Sequence, residues 1–142
     1  MEVNIERKSG MYHLKSINQD GLSVETDASE AIGGTNKGVR PMEMVLMSLG
    51  SCSAIDVIMV LDKGKQNLED IQINIKAERE PDKIPSLFTH IDMHFILYGN
   101  ISPKKAERAI DLSLNKYCSV AQMLKKTATI GTTFEIINES NQ

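Results

Sequence analysis

The chain has 142 residues, enough for one hydrophobic core and short for two. Hydrophobic residues make up 41% and charged residues 25%, which excludes a disordered, collagen-like or coiled-coil chain. The formal net charge of -3, with lysines spread along the chain, predicts solvated surface charge and no nucleic-acid partner.

The first 30 residues read as strands. Val3-Asn4-Ile5-Glu6-Arg7 and Leu22-Ser23-Val24-Glu25-Thr26 alternate apolar and polar side chains. Met11 to Ile17 alternates more loosely, and Asn18-Gln19-Asp20-Gly21 supplies hairpin chemistry. Together they predict an antiparallel meander with one face buried. Residues 27–40, with Gly33, Gly34 and Gly38, read as a flexible, turn-rich loop. Gly33-Gly34 lacks the spacing and the Lys-Ser/Thr ending of a phosphate loop.

Pro41 suits the first turn of a helix that runs to about Leu61, where Lys63-Gly64-Lys65 ends it. Between Met44 and Leu61 the one charged residue is Asp56, and apolar residues cover nearly the whole circumference, so the helix is expected to be buried on most sides. Its length would also let it cross a membrane. Ser48, Gly50, Ser51, Ser53 and Asp56 within the run, and β-like flanks, favour a core helix with no membrane partner.

Ile71, Ile73, Ile75 and Ala77 mark a half-buried strand, and Phe88 to Leu97 a second. Ser102-Pro103 caps and opens a helix whose buried face carries Ala106, Ala109, Ile110, Ser113 and Leu114. Ser119-Val120-Ala121-Gln122 reads as a capping box that starts a third helix, to about Leu124. Thr127 to Asn138 closes the chain as a strand. The order βββ-α-ββ-αα-β predicts one α+β domain over residues 1–142.

Chemistry-bearing residues are few. Cys52 and Cys118 match neither a CxxC nor a zinc-finger spacing. Met1-Glu2-Val3-Asn4 opens no basic-then-apolar leader, so a cytoplasmic, reducing location is expected, with the cysteines either inert or a redox pair. Cys118 falls just ahead of a helix start, where free N–H groups and the helix dipole favour an anion. Cys52 lies mid-helix with Leu49, Ile55 and Met59 on its face and Asp56 one turn on. Burial and a carboxylate both disfavour its thiolate, so a cation or donor must come from elsewhere. Arg40 lies some 18 Å back along the helix axis, which opposes a contact within the same chain; a second subunit is one source of such a group. His90 and His94 share a strand face, but spacing supplies no third ligand, so no metal is expected there.

The segment from Pro41-Met42-Glu43 through Leu49-Gly50-Ser51-Cys52-Ser53-Ala54-Ile55-Asp56 resembles the signature helix of the OsmC/Ohr superfamily, with a cysteine eleven residues after the proline. Lys116-Tyr117-Cys118-Ser119-Val120 is similar to that family's second cysteine at a helix start, and the element order fits along nearly the whole chain. The Met-Glu-Met-Val-Leu-Met run and the Asp after the cysteine look closest to its YhfA-like branch. The resemblance implies antiparallel sheets packed around a long buried central helix in an intertwined homodimer. It implies thiol-dependent reduction of organic or lipid hydroperoxides in oxidative-stress defence, with no metal or organic cofactor. Cys52 would be the peroxidatic thiol, Cys118 the resolving thiol, and a dithiol, lipoyl-bound in the best-known members, the reductant. The family's activating glutamate directly follows the proline, where this chain has Met42; Glu43 and Arg40 are the candidates for the activating pair. The alternative is a non-enzymatic protein of the same fold, a redox sensor or a binder of small apolar ligands.

Overall fold

The computed structural model describes residues 1–138. Its elements are β1 (Val3–Ser9), β2 (His13–Asn18), β3 (Ser23–Thr26), a 3-10 turn (Glu30–Ile32), α1 (Pro41–Lys63), β4 (Asn67–Arg79), β5 (Phe88–Asn100), α2 (Pro103–Leu112), a π turn (Ser113–Tyr117), α3 (Ser119–Leu124) and β6 (Thr129–Ile137). The α+β class and the order expected from the sequence are both present. Two compact units divide the chain, one from Met1 to Met47 and one from Ser48 onward.

In the first unit β1, β2 and β3 form an antiparallel meander, with Leu14 opposite Arg7 on one side and Thr26 on the other. The Asn18 side chain makes the turn into β3 by accepting the N–H groups of Asp20 (3.0 Å) and Leu22 (2.9 Å). β1 departs from the expected buried face, since its apolar Val3 and Ile5 are both exposed. Alternation sets which side chains share a face; it does not supply a cover for that face.

The following loop is pinned rather than flexible. Asp27, 2% exposed, accepts hydrogen bonds from the N–H groups of Ala28, Thr35 and Lys37 and from the Thr35 hydroxyl. Burial works to raise its pKa, but those four donors outweigh it and hold the carboxyl at about 2. Gly34 packs so closely on the same turn that a Cβ there would lie 1.8 Å from the Ala28 carbonyl oxygen.

In the second unit the sheet order is β4-β5-β6. β4 and β5 are antiparallel, from Asn67 opposite Asn100 to Arg79 opposite Phe88. β6 runs parallel to β5, because α2, the π turn and α3 carry the chain back to the start of β5 before β6 begins. The expected antiparallel pairing therefore holds in both sheets except at β6. Alternate residues of β5, Ile91, Met93, Phe95 and Leu97, form the centre of this core. Ala106, Ala109 and Ile110 of α2 join it at helical spacing. Each large apolar side chain buried in this way contributes about 1.5–3 kcal/mol.

α1 is buried along one stripe, Leu49, Ser53, Val57 and Leu61, each four residues from the last. The expected burial on most sides is not reached within one chain: Ile55, Ile58 and Met59 are between 42% and 59% exposed. Gly50 lets α1 approach β4, since a Cβ there would stand 3.0 Å from the Ile75 side chain. By length and composition α1 could cross a membrane. From Ser48 onward it carries the buried stripe and the polar contacts to the π turn (below) within the second unit.

Candidate functional site

Cys52 and Cys118 are brought together by two local features. Cys52 stands in the middle of α1, one residue before the buried Ser53. Cys118 is placed by the π turn that follows α2, where its N–H donates to the Ser113 carbonyl five residues back (2.8 Å). Such a turn holds one residue more than an α-turn and is frequent at functional sites. The chain then becomes extended at Cys118 (φ -70°, ψ 103°) and α3 begins at Ser119.

This corrects the expected capping box. Ser119 is already helical, and the cap is Cys118 itself, whose Sγ accepts the Ala121 N–H at 3.4 Å. Gln122 does not reach back to the cap; its Nε2 donates to the Leu114 carbonyl (2.8 Å). The thiol thus does the work usually done by a serine or aspartate oxygen.

The two Sγ atoms and a carboxylate oxygen of Asp56 all lie within 4.8 Å of one another. Asp56 follows Cys52 by one helical turn, so both point from the same side of α1. Two buried hydroxyls complete the cluster. Ser53 Oγ donates to Cys118 Sγ (3.6 Å), and Ser113 Oγ donates to Asp56 Oδ2 (3.2 Å) with the Ser53 carbonyl 3.4 Å away. Ser53, Ser113 and Cys118 are fully buried, while Cys52 and Asp56 are partly open. A surface cavity of about 430 Å³ reaches Asp56, walled by Met59, Val60, Lys63, Leu112 and Tyr117.

The pKa of Cys52 is raised from its ordinary value of 9.0. Burial is the largest cause, followed by the Cys118 thiol; the Val120 N–H works the other way, and the Asp56 charge adds to the rise. Among the described residues, the groups that act on this thiol include no cation. The raised pKa agrees with the sequence expectation that Cys52, left alone, is sluggish.

Arg40 and Glu43 are engaged with each other and with the preceding loop. The Glu43 carboxylate accepts the Arg40 N–H (2.8 Å), and the guanidinium donates to the Gly38 carbonyl and the Asn36 side chain (both 3.1 Å). His90 and His94 have separate partners, Asp92 for the first and Thr133 with Glu135 for the second. Among the described residues, the one group of three or more metal-ligating side chains is Cys52, Asp56 and Cys118. Sequence reasoning noted Asp56 beside Cys52 but missed Ser53 and Ser113. The available signal was an Asp and two serines at core positions of otherwise apolar helix faces.

Comparison with known proteins gives the chain relatives along most of its length. The family described as OsmC-like protein matches residues 34–133. Protein YhfA of Escherichia coli K12 is 47% identical over 103 residues, 72% of this chain and 76% of that protein. A crystal structure of a hypothetical protein from Aquifex aeolicus VF5 is 33% identical with a TM-score of 0.84, covering 97% of this chain and 96% of that one. An organic hydroperoxide resistance protein from Legionella pneumophila, 15% identical over 95% of this chain and 97% of its own, shares the fold with a TM-score of 0.69.

Proposed function

The chain belongs to the OsmC-like family, and on that footing we propose that it reduces organic hydroperoxides with Cys52 as the attacking thiol and Cys118 as the resolving one. Support comes above all from the meeting of two thiols 66 positions apart in sequence, the partly open one at Cys52 and the fully buried one at Cys118. In the first step the Cys52 thiolate attacks the terminal peroxide oxygen. The O–O bond breaks, the alcohol leaves with a proton, and Cys52 becomes a sulfenic acid. Cys118 then attacks that sulfur, the S–O bond breaks, water leaves, and a Cys52–Cys118 disulfide forms. A dithiol returns both cysteines to thiols by exchange, ending as a disulfide itself.

The cavity beside Asp56 favours an organic peroxide over hydrogen peroxide, because Met59, Val60, Leu112 and the Tyr117 ring give it apolar walls. Activation of Cys52 falls to a second copy of the chain, with Arg40 and Glu43 as the candidate pair. The apolar face of α1 next to Cys52, formed by Ile55, Ile58 and Met59, has the character of a surface made to be covered in a homodimer.

The test is chemical. Reduced protein is treated with one equivalent of cumene hydroperoxide and its thiols are mapped by intact and peptide mass spectrometry. A rapid Cys52–Cys118 disulfide is expected, with none in Cys52→Ser and a trapped sulfenic acid in Cys118→Ser. Two free thiols after long exposure would sink the peroxidase role and leave a sensing or binding protein of the same fold.

A further inference from the structure

We infer that Cys52, Cys118 and Asp56 form a binding site for one thiophilic divalent cation, Zn²⁺ in the first instance. Their three donor atoms lie within 4.8 Å of one another and come from two elements, α1 and the cap of α3. A tetrahedral zinc ion with Zn–S near 2.3 Å and Zn–O near 2.0 Å holds such donors about 3.5–3.8 Å apart. Cys52 and Asp56 are the partly open ligands and Cys118 the buried one, so the first two are the side chains that would move to close that gap.

Two thiolates and a carboxylate suit zinc, whose borderline-soft character selects sulfur, better than magnesium or calcium, which want oxygen alone. The surroundings are also those of a ligand set. Ser113 Oγ donates to Asp56 Oδ2 and Ser53 Oγ donates to Cys118 Sγ, which orients one carboxylate oxygen and one sulfur from outside the site. Asp56 also lines the surface cavity, which gives water a route to the ion's fourth position. Binding displaces the two thiol protons, one from each cysteine, to the solvent.

This inference rests on the three donors and not on peroxide chemistry. A Cys52 inert to peroxide leaves it intact, and a working peroxidase does not establish it. Because the ion would hold both sulfurs, it makes the loaded chain closed to oxidation, so the same site would bind metal or react, never both at once.

The experiment titrates the reduced, oxygen-free protein with Co²⁺, which reports thiolate ligation through near-ultraviolet charge-transfer absorption, and then displaces it with Zn²⁺ against a chromophoric chelator. One ion per chain is expected, with the sulfur bands lost in Cys52→Ser and in Cys118→Ser. Asp56→Asn should weaken Zn²⁺ about tenfold or more, and Ser113→Ala, which removes the orienting hydroxyl but no ligand, by about tenfold. Ser113→Ala also serves if Asp56→Asn fails to fold. His90→Ala should leave the titration unchanged. Half an ion per chain, sulfur bands that survive loss of either cysteine, or an affinity indifferent to both Asp56→Asn and Ser113→Ala overturns the site.

Discussion

The hydrogen bond from Ser113 to Asp56 ties the π turn to α1, and its strength can be isolated. Ser113 is fully buried and has one proton to give, with Asp56 Oδ2 at 3.2 Å nearer than the Ser53 carbonyl at 3.4 Å. A hydrogen bond to a charged group contributes about 1.5–3 kcal/mol when buried. Asp56 is partly open to water, which brings the coupling down to about 1–1.5 kcal/mol. Ser113→Ala, Asp56→Ala and the double variant complete a cycle with the parent chain, read by urea unfolding at one fixed protein concentration. With a slope of about 1.5–2 kcal/mol/M, the coupling corresponds to a midpoint shift of roughly 0.5–1 M that the single variants share rather than add. Strictly additive effects, within about 0.3 kcal/mol, would refute the bond as a link between the two elements.

Two further expectations concern charge. Asp56 is among the groups that oppose the Cys52 thiolate, so Asp56→Asn in a Cys118→Ser background should move the iodoacetamide-alkylation profile of Cys52 to lower pH; an unmoved or higher profile would remove Asp56 from the electrostatics of that thiol. Asp27 has a folded pKa of about 2, below its ordinary 3.8, so the native state takes up its proton later than the unfolded chain does. Its contribution is complete above about pH 4 and is lost as pH falls through 2, and Asp27→Asn should both lower the melting temperature at neutral pH and flatten the acid limb in that window. Parallel acid limbs in parent and variant, followed by circular dichroism, would contradict this account of the loop.

Features set by neighbours in sequence were legible in advance. The alternation of Ile71, Ile73, Ile75 and Ala77 became a half-buried β4, and Ser102-Pro103 opened α2. α1 was legible as an element but not in its exposure. An apolar circumference says that a helix needs cover, and Ile55, Ile58 and Met59 show that one chain does not provide all of it. The cap of α3 was misplaced by one residue because a thiol is not counted among capping groups, although Cys118 Sγ accepts the Ala121 N–H. Asp27 escaped notice because its four donors come from a loop whose shape only the fold decides. The pairing of Cys52 with Cys118 came from the family resemblance and from no feature of the residues themselves. Residues 66 positions apart are joined by tertiary packing, which no local pattern encodes.

The π turn bears on the thiol pair through its length. Ser113 to Cys118 closes on itself after five residues and so holds one residue more than an α-turn. That extra residue falls where α2 ends, and the chain leaves the turn extended at Cys118. The reach of the Cys118 sulfur toward Cys52 is therefore set by how the chain turns before it, and not by the cysteines alone.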